Sequence, residues 1–190
     1  MTTRTIILGG LAAAALGAGG LALAQGHGRG HGMRGHHGMD GHDEVTMPGL
    51  RGLNASPEES AEIATLFRSF QTLEREVELL PNGIRTVTRS SDPAVMDALV
   101  SHVVGMIDRV GQRNDPQILI QSPTLDLFFE RGDTMTAEID VTDAGIVVTR
   151  RADDPELVAA MHVHAAEVTD MAERGMQAVH EMMMRQGRGH

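Results

Sequence analysis

The sequence predicts an α+β fold built by internal duplication of an α-β-β-α unit. Residues 67–112 align with residues 129–174 at a constant shift of 62 positions and without a gap. Within each copy, helix signals stand on both sides of a hairpin signal. Two copies are too few for a solenoid, so we expect one pseudo-two-fold domain with repeats at about 56–113 and 122–175. The matched pairs include Phe67 and Phe129, Gly83 and Gly145, Asp92 and Asp154, and His102 and His164.

Capping residues mark the two helix N-termini of the first copy. Ser56 is a favourable N-cap, Pro57 fits the first helical position, and Glu59 completes a capping box. Apolar residues then recur at helical spacing. Asp92, which precedes a proline, predicts a second helix that ends near Val110.

The second copy repeats this order with its own capping residues. Ser122, which also precedes a proline, predicts a short helix that continues through Phe129. Asp154 predicts the start of a long helix that reaches about Met184. The helical parts of both copies therefore lie at equivalent positions.

Each copy carries a β-hairpin signal between its helices. Residues 76–80 and 84–88 flank Pro-Asn-Gly, and residues 135–141 and 146–150 flank Asp-Ala-Gly. A lone hairpin is only marginally stable in water, so we expect the two hairpins to join into a four-stranded antiparallel sheet. Helices should cover one face of that sheet.

The N-terminal residues 1–24 have the pattern of a secretory signal peptide. Arg4 supplies the charged start, residues 6–21 carry no charge, and residues 22–24 read Ala-Leu-Ala, a small-x-small cleavage site. The alternative is an uncleaved membrane anchor, but the run is rich in Gly and Ala and no charged stop follows it. The sequence therefore predicts a secreted or periplasmic protein that begins at Gln25 and has no membrane contact after cleavage.

Residues 25–54 form a leader that is rich in Gly, His and Met. This segment has few apolar residues to bury, so we expect it to be disordered, as we do the short tail at 186–190. The single duplicated domain should accordingly cover residues 55–185.

The composition excludes several classes of function. The formal net charge of −10 disfavours binding to nucleic acid or to an anionic membrane surface. The chain has no cysteine, which rules out disulfides, thiolate metal sites and covalent haem attachment. It also lacks Trp and Tyr, so stacking platforms for bases or sugars are not expected.

The leader is the first candidate for metal binding. After cleavage, the free amine of Gln25, two backbone nitrogens and the imidazole of His27 would form a square-planar nitrogen set, which suits Cu(II) or Ni(II). This set requires that Gln25 does not cyclise. The general order of metal affinities favours copper over nickel and zinc. The alternative to metal binding is a leader that only keeps the protein soluble and whose histidines have no role. The further leader ligands are His31, Met33, His36, His37, Met39 and His42.

The matched histidines are the second candidate. Successive side chains of a helix are rotated by 100°, which places His102 and His164 on apolar stripes of their helices. These stripes should point inward. If the copies are related by a two-fold axis, the two rings could approach each other, with Met106 and Met161 nearby. Imidazole and thioether ligands suit copper, and two facing imidazoles could bind haem b axially in an electron-transfer protein. The alternative is that the histidines and methionines simply pack in the core.

Other polar residues give little support for catalysis, and the sequence does not predict an enzyme. The acidic pairs Glu76/Glu78 and Glu138/Asp140 should lie on the solvated face of the sheet. His162 aligns with Val100 of the first copy, so we expect it to be exposed or at an edge.

A third hypothesis is a ligand-free envelope module whose sheet or Met-rich last helix binds a partner protein. The partner and the oligomeric state are left open.

Overall fold

The computed structural model describes residues 4–7 and 47–187, and it shows an antiparallel sheet with helices packed on one face. The strand order is β1-β4-β5-β3-β2. The strands are β1 (Arg4–Ile7), β2 (Leu73–Leu80), β3 (Gly83–Ser90), β4 (Thr136–Thr142) and β5 (Gly145–Arg151). The helices are α1 (Pro57–Arg68), α2 (Pro93–Gly111), α3 (Thr124–Arg131), α4 (Pro155–Arg174) and α5 (Met176–Arg185). The α+β class and the four-stranded sheet formed by two hairpins are confirmed.

The strand register shows the two-fold relation between the copies directly. A shift of 62 positions converts the pairing of β2 with β3 into the pairing of β4 with β5. In the central pair of strands, Thr86 lies opposite Val148, which is its equivalent in the second copy. A pseudo-two-fold axis therefore passes through this pair of residues.

Strand β1 adds a fifth strand at the edge of the sheet. It pairs antiparallel with β4, and Ile6 lies opposite Ile139. This strand belongs to the segment that the sequence predicts to be removed as a signal peptide. The four strands of the duplicated hairpins form a continuous sheet without it. None of the helices in the described part of the chain is long and apolar enough to span a membrane.

Capping chemistry explains where the main helices begin. At α1, the Ser56 N–H donates to Glu59 Oε2 over 2.7 Å, and the Glu59 N–H donates to Ser56 Oγ over 3.2 Å. Asp92 and Asp154 cap α2 and α4 by accepting from backbone N–H groups of the first turn. Each cap satisfies donors that a helix N-terminus otherwise leaves unpaired.

The helix predicted to run from Asp154 to about Met184 is interrupted at Gly175. This residue has φ 60° and ψ −137°, which ends α4 and reorients the chain before α5. A Cβ at this position would lie 2.7 Å from Cδ1 of Phe70. The prediction of one long helix is wrong because the break depends on a backbone conformation and a close contact that helical periodicity does not reveal.

Two residues that the sequence analysis places in the leader are buried in the structure. Met47 and Leu50 were assigned to the leader at 25–54, but their exposed fractions are only 7% and 2%. Both side chains pack against Ile63 of α1. These two apolar side chains therefore close the core beside α1, and the boundary at residue 54 stays a prediction. The rest of the leader, and its predicted disorder, lie outside the described residues.

The two faces of the sheet differ in polarity. On the inner face, Ile139, Ile146 and Val148 are buried beneath the helices. On the outer face, Glu76 and Glu78 are exposed, as the alternation of strand residues predicted. The helix-covered inner face is therefore the surface on which the inward-pointing histidines of α2 and α4 lie.

Candidate functional site

Each long helix crosses onto the hairpin of the other copy. Helix α2 contacts β3 and also β4 of the second copy, whereas α4 contacts β2 and β3 of the first copy. The apolar stripes of both helices face the sheet, because Val95, Leu99, Leu157 and Met161 are all at most 5% exposed. Each long helix therefore buries its apolar stripe partly against strands of the other copy.

His102 and His164 are both partly buried in these stripes. Burial lowers the pKa of His102 to about 4, the charge of Glu59 opposes this shift, and the charge of His164 adds to it. The two rings therefore lie within range of each other's electrostatic field. Both imidazoles are neutral at pH 7, which is the form that binds a metal ion.

His164 contacts an aromatic ring on one side and a carboxylate on the other. Its ring meets the edge of Phe128 with centroids 5.4 Å apart and an interplanar angle of 87°. Its Nδ1 lies 3.8 Å from Oε2 of Glu167, which is too far for a hydrogen bond. Within residues 47–187, neither of these two buried atoms has a hydrogen-bond partner. Such orphaned atoms are rare in folded proteins and indicate a position where a further polar group could be accommodated.

Glu167 is oriented by the segment that precedes α3. Its Oε1 accepts from Ser122 Oγ over 2.9 Å. Ser122 Oγ also accepts from the N–H of Thr124 over 3.2 Å. Ser122 thus pairs a backbone N–H of the first helical residue, as predicted, although Pro123 stands between it and the helix. The serine also connects the start of α3 to α4.

The methionines predicted to accompany the histidines are packed in the core. Met161 is completely buried, and Met106 packs against the same cluster, which contains Phe128. Within residues 4–7 and 47–187, no group of three or more His, Asp or Glu side chains is arranged to hold a metal ion. The binding of copper or haem b at His102 and His164 therefore stays a prediction.

The ligands predicted in the leader all precede the described domain. Gln25, His27, His31, Met33, His36, His37, Met39 and His42 lie outside the described residues.

His162 has a structural contact that the sequence did not reveal. It is partly buried, and its Nε2 lies 3.2 Å from the carbonyl oxygen of Leu80 and 3.0 Å from that of Gly83. Because carbonyl oxygens only accept, Nε2 must carry the proton and donate to both. This contact ties α4 to the turn of the first hairpin, and the equivalent Val100 gave no indication of it.

The last helix is held to the end of α4 by an ion pair. Glu181 Oε2 accepts from Arg174 Nη1 over 2.7 Å. Met182 is only 4% exposed and packs inward, whereas Met184 is 53% exposed. The Met-rich end of α5 therefore contributes to both the core and the surface.

Comparisons with protein-family models, with curated proteins and with solved structures give no match for this chain.

Proposed function

We propose that this protein is exported and binds transition metals, with copper as the preferred ion. It would act as a carrier, buffer or scavenger of the metal. The observation that carries the proposal is the composition of the leader, in which five histidines fall within residues 27–42 of a chain without cysteine. Short His-rich tracts of this kind bind transition metals. Copper comes first because divalent copper has the highest affinity for nitrogen ligands among the common ions.

The attachment of the leader supports a tethered role. Met47 is buried in a cluster with Ile63 of α1, and we propose that it anchors the leader that precedes it. His42 lies five residues before this anchor and can be at most about 18 Å from it, and His27 at most about 70 Å. The leader histidines therefore remain within these distances of Met47 when they bind metal.

The inner histidines have a secondary part in this proposal. Two imidazoles do not complete a coordination set. The charges of Arg150 and Arg75 already act against a positive charge on His164. A divalent cation at this pair would meet the same repulsion, so the leader is the preferred site of capture.

The experiment compares metal uptake by variants of the mature chain, residues 25–190. Cu(II) and Ni(II) are titrated into the wild type, into a variant with the five leader histidines changed to Gln, and into a matched variant with His102→Gln and His164→Gln. Substitution is preferable to deletion because it leaves Met47 in place. We expect the leader variant to lose most of the bound metal and the inner variant to keep it. If the leader variant binds as much metal as the wild type, the proposal fails.

Export is tested separately. We propose that the chain is cleaved before Gln25, which would also remove strand β1. N-terminal sequencing of protein recovered from the periplasm of an expressing bacterium should start at Gln25 or at its cyclised form. Recovery of the intact N-terminus in the cytoplasm would argue against export.

A further inference from the structure

Strand β2 forms an open edge of the sheet. Among the described residues it pairs with β3 alone, and it stands last in the strand order. Residues 76–79 of this strand are all exposed, whereas the alternate residues Ala137 and Ile139 of β4 are buried. An edge strand presents a row of backbone N–H and C=O groups with which a further strand can pair.

Two of these exposed residues are apolar and belong to the inner face of the sheet. Val77 lies opposite Thr86, and Leu79 lies opposite Ile84. Both of these partners in β3 are only 5% exposed. Val77 is nevertheless 36% exposed and Leu79 is 58% exposed. The helices therefore cover the neighbouring strand on this face but leave the apolar edge of β2 open.

The second copy shows that the equivalent edge of the sheet accepts a strand. A shift of 62 positions relates Val77 to Ile139 of β4, which is completely buried. Strand β4 is paired there with an additional strand, β1, in antiparallel register. Because β2 and β4 pair with their hairpin partners in equivalent registers, β2 offers the same kind of edge. Within the described residues, no strand covers it.

The outer face of the same edge is acidic. Glu74, Glu76 and Glu78 alternate along β2 with the residues of the inner face. Glu74 forms an ion pair with Arg89. The other two carboxylates have no ion-pair partner within residues 47–187, and Arg85, which lies opposite Glu78, forms no ion pair with it. A strand that pairs with β2 should therefore carry basic residues on this face.

The acidic row argues against a second copy of this chain at the edge. If two β2 strands paired antiparallel along their length about a two-fold axis, glutamates of one copy would lie directly opposite those of the other. Like charges in such positions destabilise a sheet. The leader does not fit either, because its many glycines are unfavourable in strands and would leave Val77 and Leu79 uncovered. The complementary segment therefore belongs to another protein.

We propose that the edge of β2 binds an extended segment of a partner protein in which basic residues alternate with apolar residues. The segment adds to the sheet as a further strand, and its backbone pairs with β2. Its apolar side chains cover Val77 and Leu79. Its basic side chains lie opposite Glu76 and Glu78. This surface is separate from the metal-binding leader and does not depend on it.

The test measures the binding of a synthetic peptide to the full chain by fluorescence anisotropy. The labelled peptide alternates Lys with Val and is long enough to pair with all of β2. In the full chain β1 pairs with β4, so β2 is the open edge of the described sheet. We expect saturable binding, and we expect no binding of a peptide that alternates Glu with Val. Hydrogen exchange should show that the Lys-Val peptide protects amides of residues 73–80.

Two variants test the two faces of the edge. Leu79→Lys should weaken binding at least about tenfold, because it removes an apolar contact and adds a like charge at an exposed position. Glu76→Gln combined with Glu78→Gln should weaken binding about fivefold at low ionic strength. The matched control combines Asp97→Asn with Glu130→Gln, which makes the same change in net charge at exposed positions of α2 and α3. The control should bind the peptide as the wild type does.

Methylated peptides separate strand pairing from charge attraction and need no variant of the protein. Two peptides carry methyl groups on the backbone nitrogens of either their Val or their Lys residues, and only one of these sets faces β2. Their affinities should differ at least about tenfold. Equal affinities, no saturable binding, equal weakening by the control variant, or protection of β4 instead of β2 would overturn the proposal. A peptide-free dimer that Leu79→Lys dissociates would also overturn it, because a second copy would then occupy the edge.

Discussion

The burial of His102 predicts that acid destabilises this domain through one identifiable residue. Burial lowers the pKa of His102 from its ordinary value of 6.5 to about 4. The unfolded chain therefore binds more protons than the folded chain between these two values, and stability falls as the pH falls through this window. The difference between these two pKa values corresponds to about 3 kcal/mol in the free energy of unfolding. About 2 kcal/mol of this stability is lost between pH 7 and pH 5.

The assay is urea unfolding of the wild type and of His102→Gln at about pH 7 and about pH 5. Gln does not titrate, so the variant should lose about 2 kcal/mol less stability on acidification than the wild type. A smaller loss should persist in the variant because burial also lowers the pKa of His164. The matched control is His180→Gln, which changes an exposed histidine of α5 and should retain the wild-type pH dependence.

Two results would refute this reasoning. If His102→Gln loses as much stability on acidification as the wild type, then His102 is not held neutral by the fold. If His180→Gln removes the pH dependence as effectively, the effect does not arise from burial at the two-fold axis.

The remaining predictions concern the packing around this site. Gly175→Ala should destabilise the domain by about 1–3 kcal/mol, because φ is positive and the new Cβ would lie 2.7 Å from Phe70. Gly105→Ala is the comparison, since a Cβ there meets nothing within 4 Å, and it should stabilise α2 by about 0.5–1 kcal/mol in the same thermal melts. Arg109→Gln should lower the free energy of unfolding in urea by about 2–3 kcal/mol, because it leaves the partly buried Glu59 without its ion-pair partner. Adding Glu59→Gln to this variant should recover part of the lost stability.

Local chemistry was sufficient to predict most of the secondary structure. The capping box at Ser56, the aspartate caps at Asp92 and Asp154, and the two hairpin turns each depend on residues within about four positions of one another. The fixed shift between the copies predicted a pseudo-two-fold domain, and in the structure Thr86 lies opposite its equivalent, Val148.

The candidate site was only partly accessible from the sequence. Helical periodicity placed His102 and His164 on inward stripes, and both are partly buried there. The alternation of Leu73, Arg75 and Val77 also placed an arginine on the apolar face, a signal that was overlooked. The contact of Arg150 with Phe128 depends on how α3 packs on the sheet and was not readable from β5 alone.

The sequence by itself determined the duplicated α-β-β-α order, the helix starts and the composition of the leader. Only the tertiary structure decided that Gly175 interrupts the last helix, that Met47 and Leu50 belong to the core, and that His162 binds the first hairpin turn. The physical reason is the range of the interactions. Caps, turns and periodicity act over a few residues, whereas these features depend on groups brought together from distant parts of the chain by packing and sheet pairing.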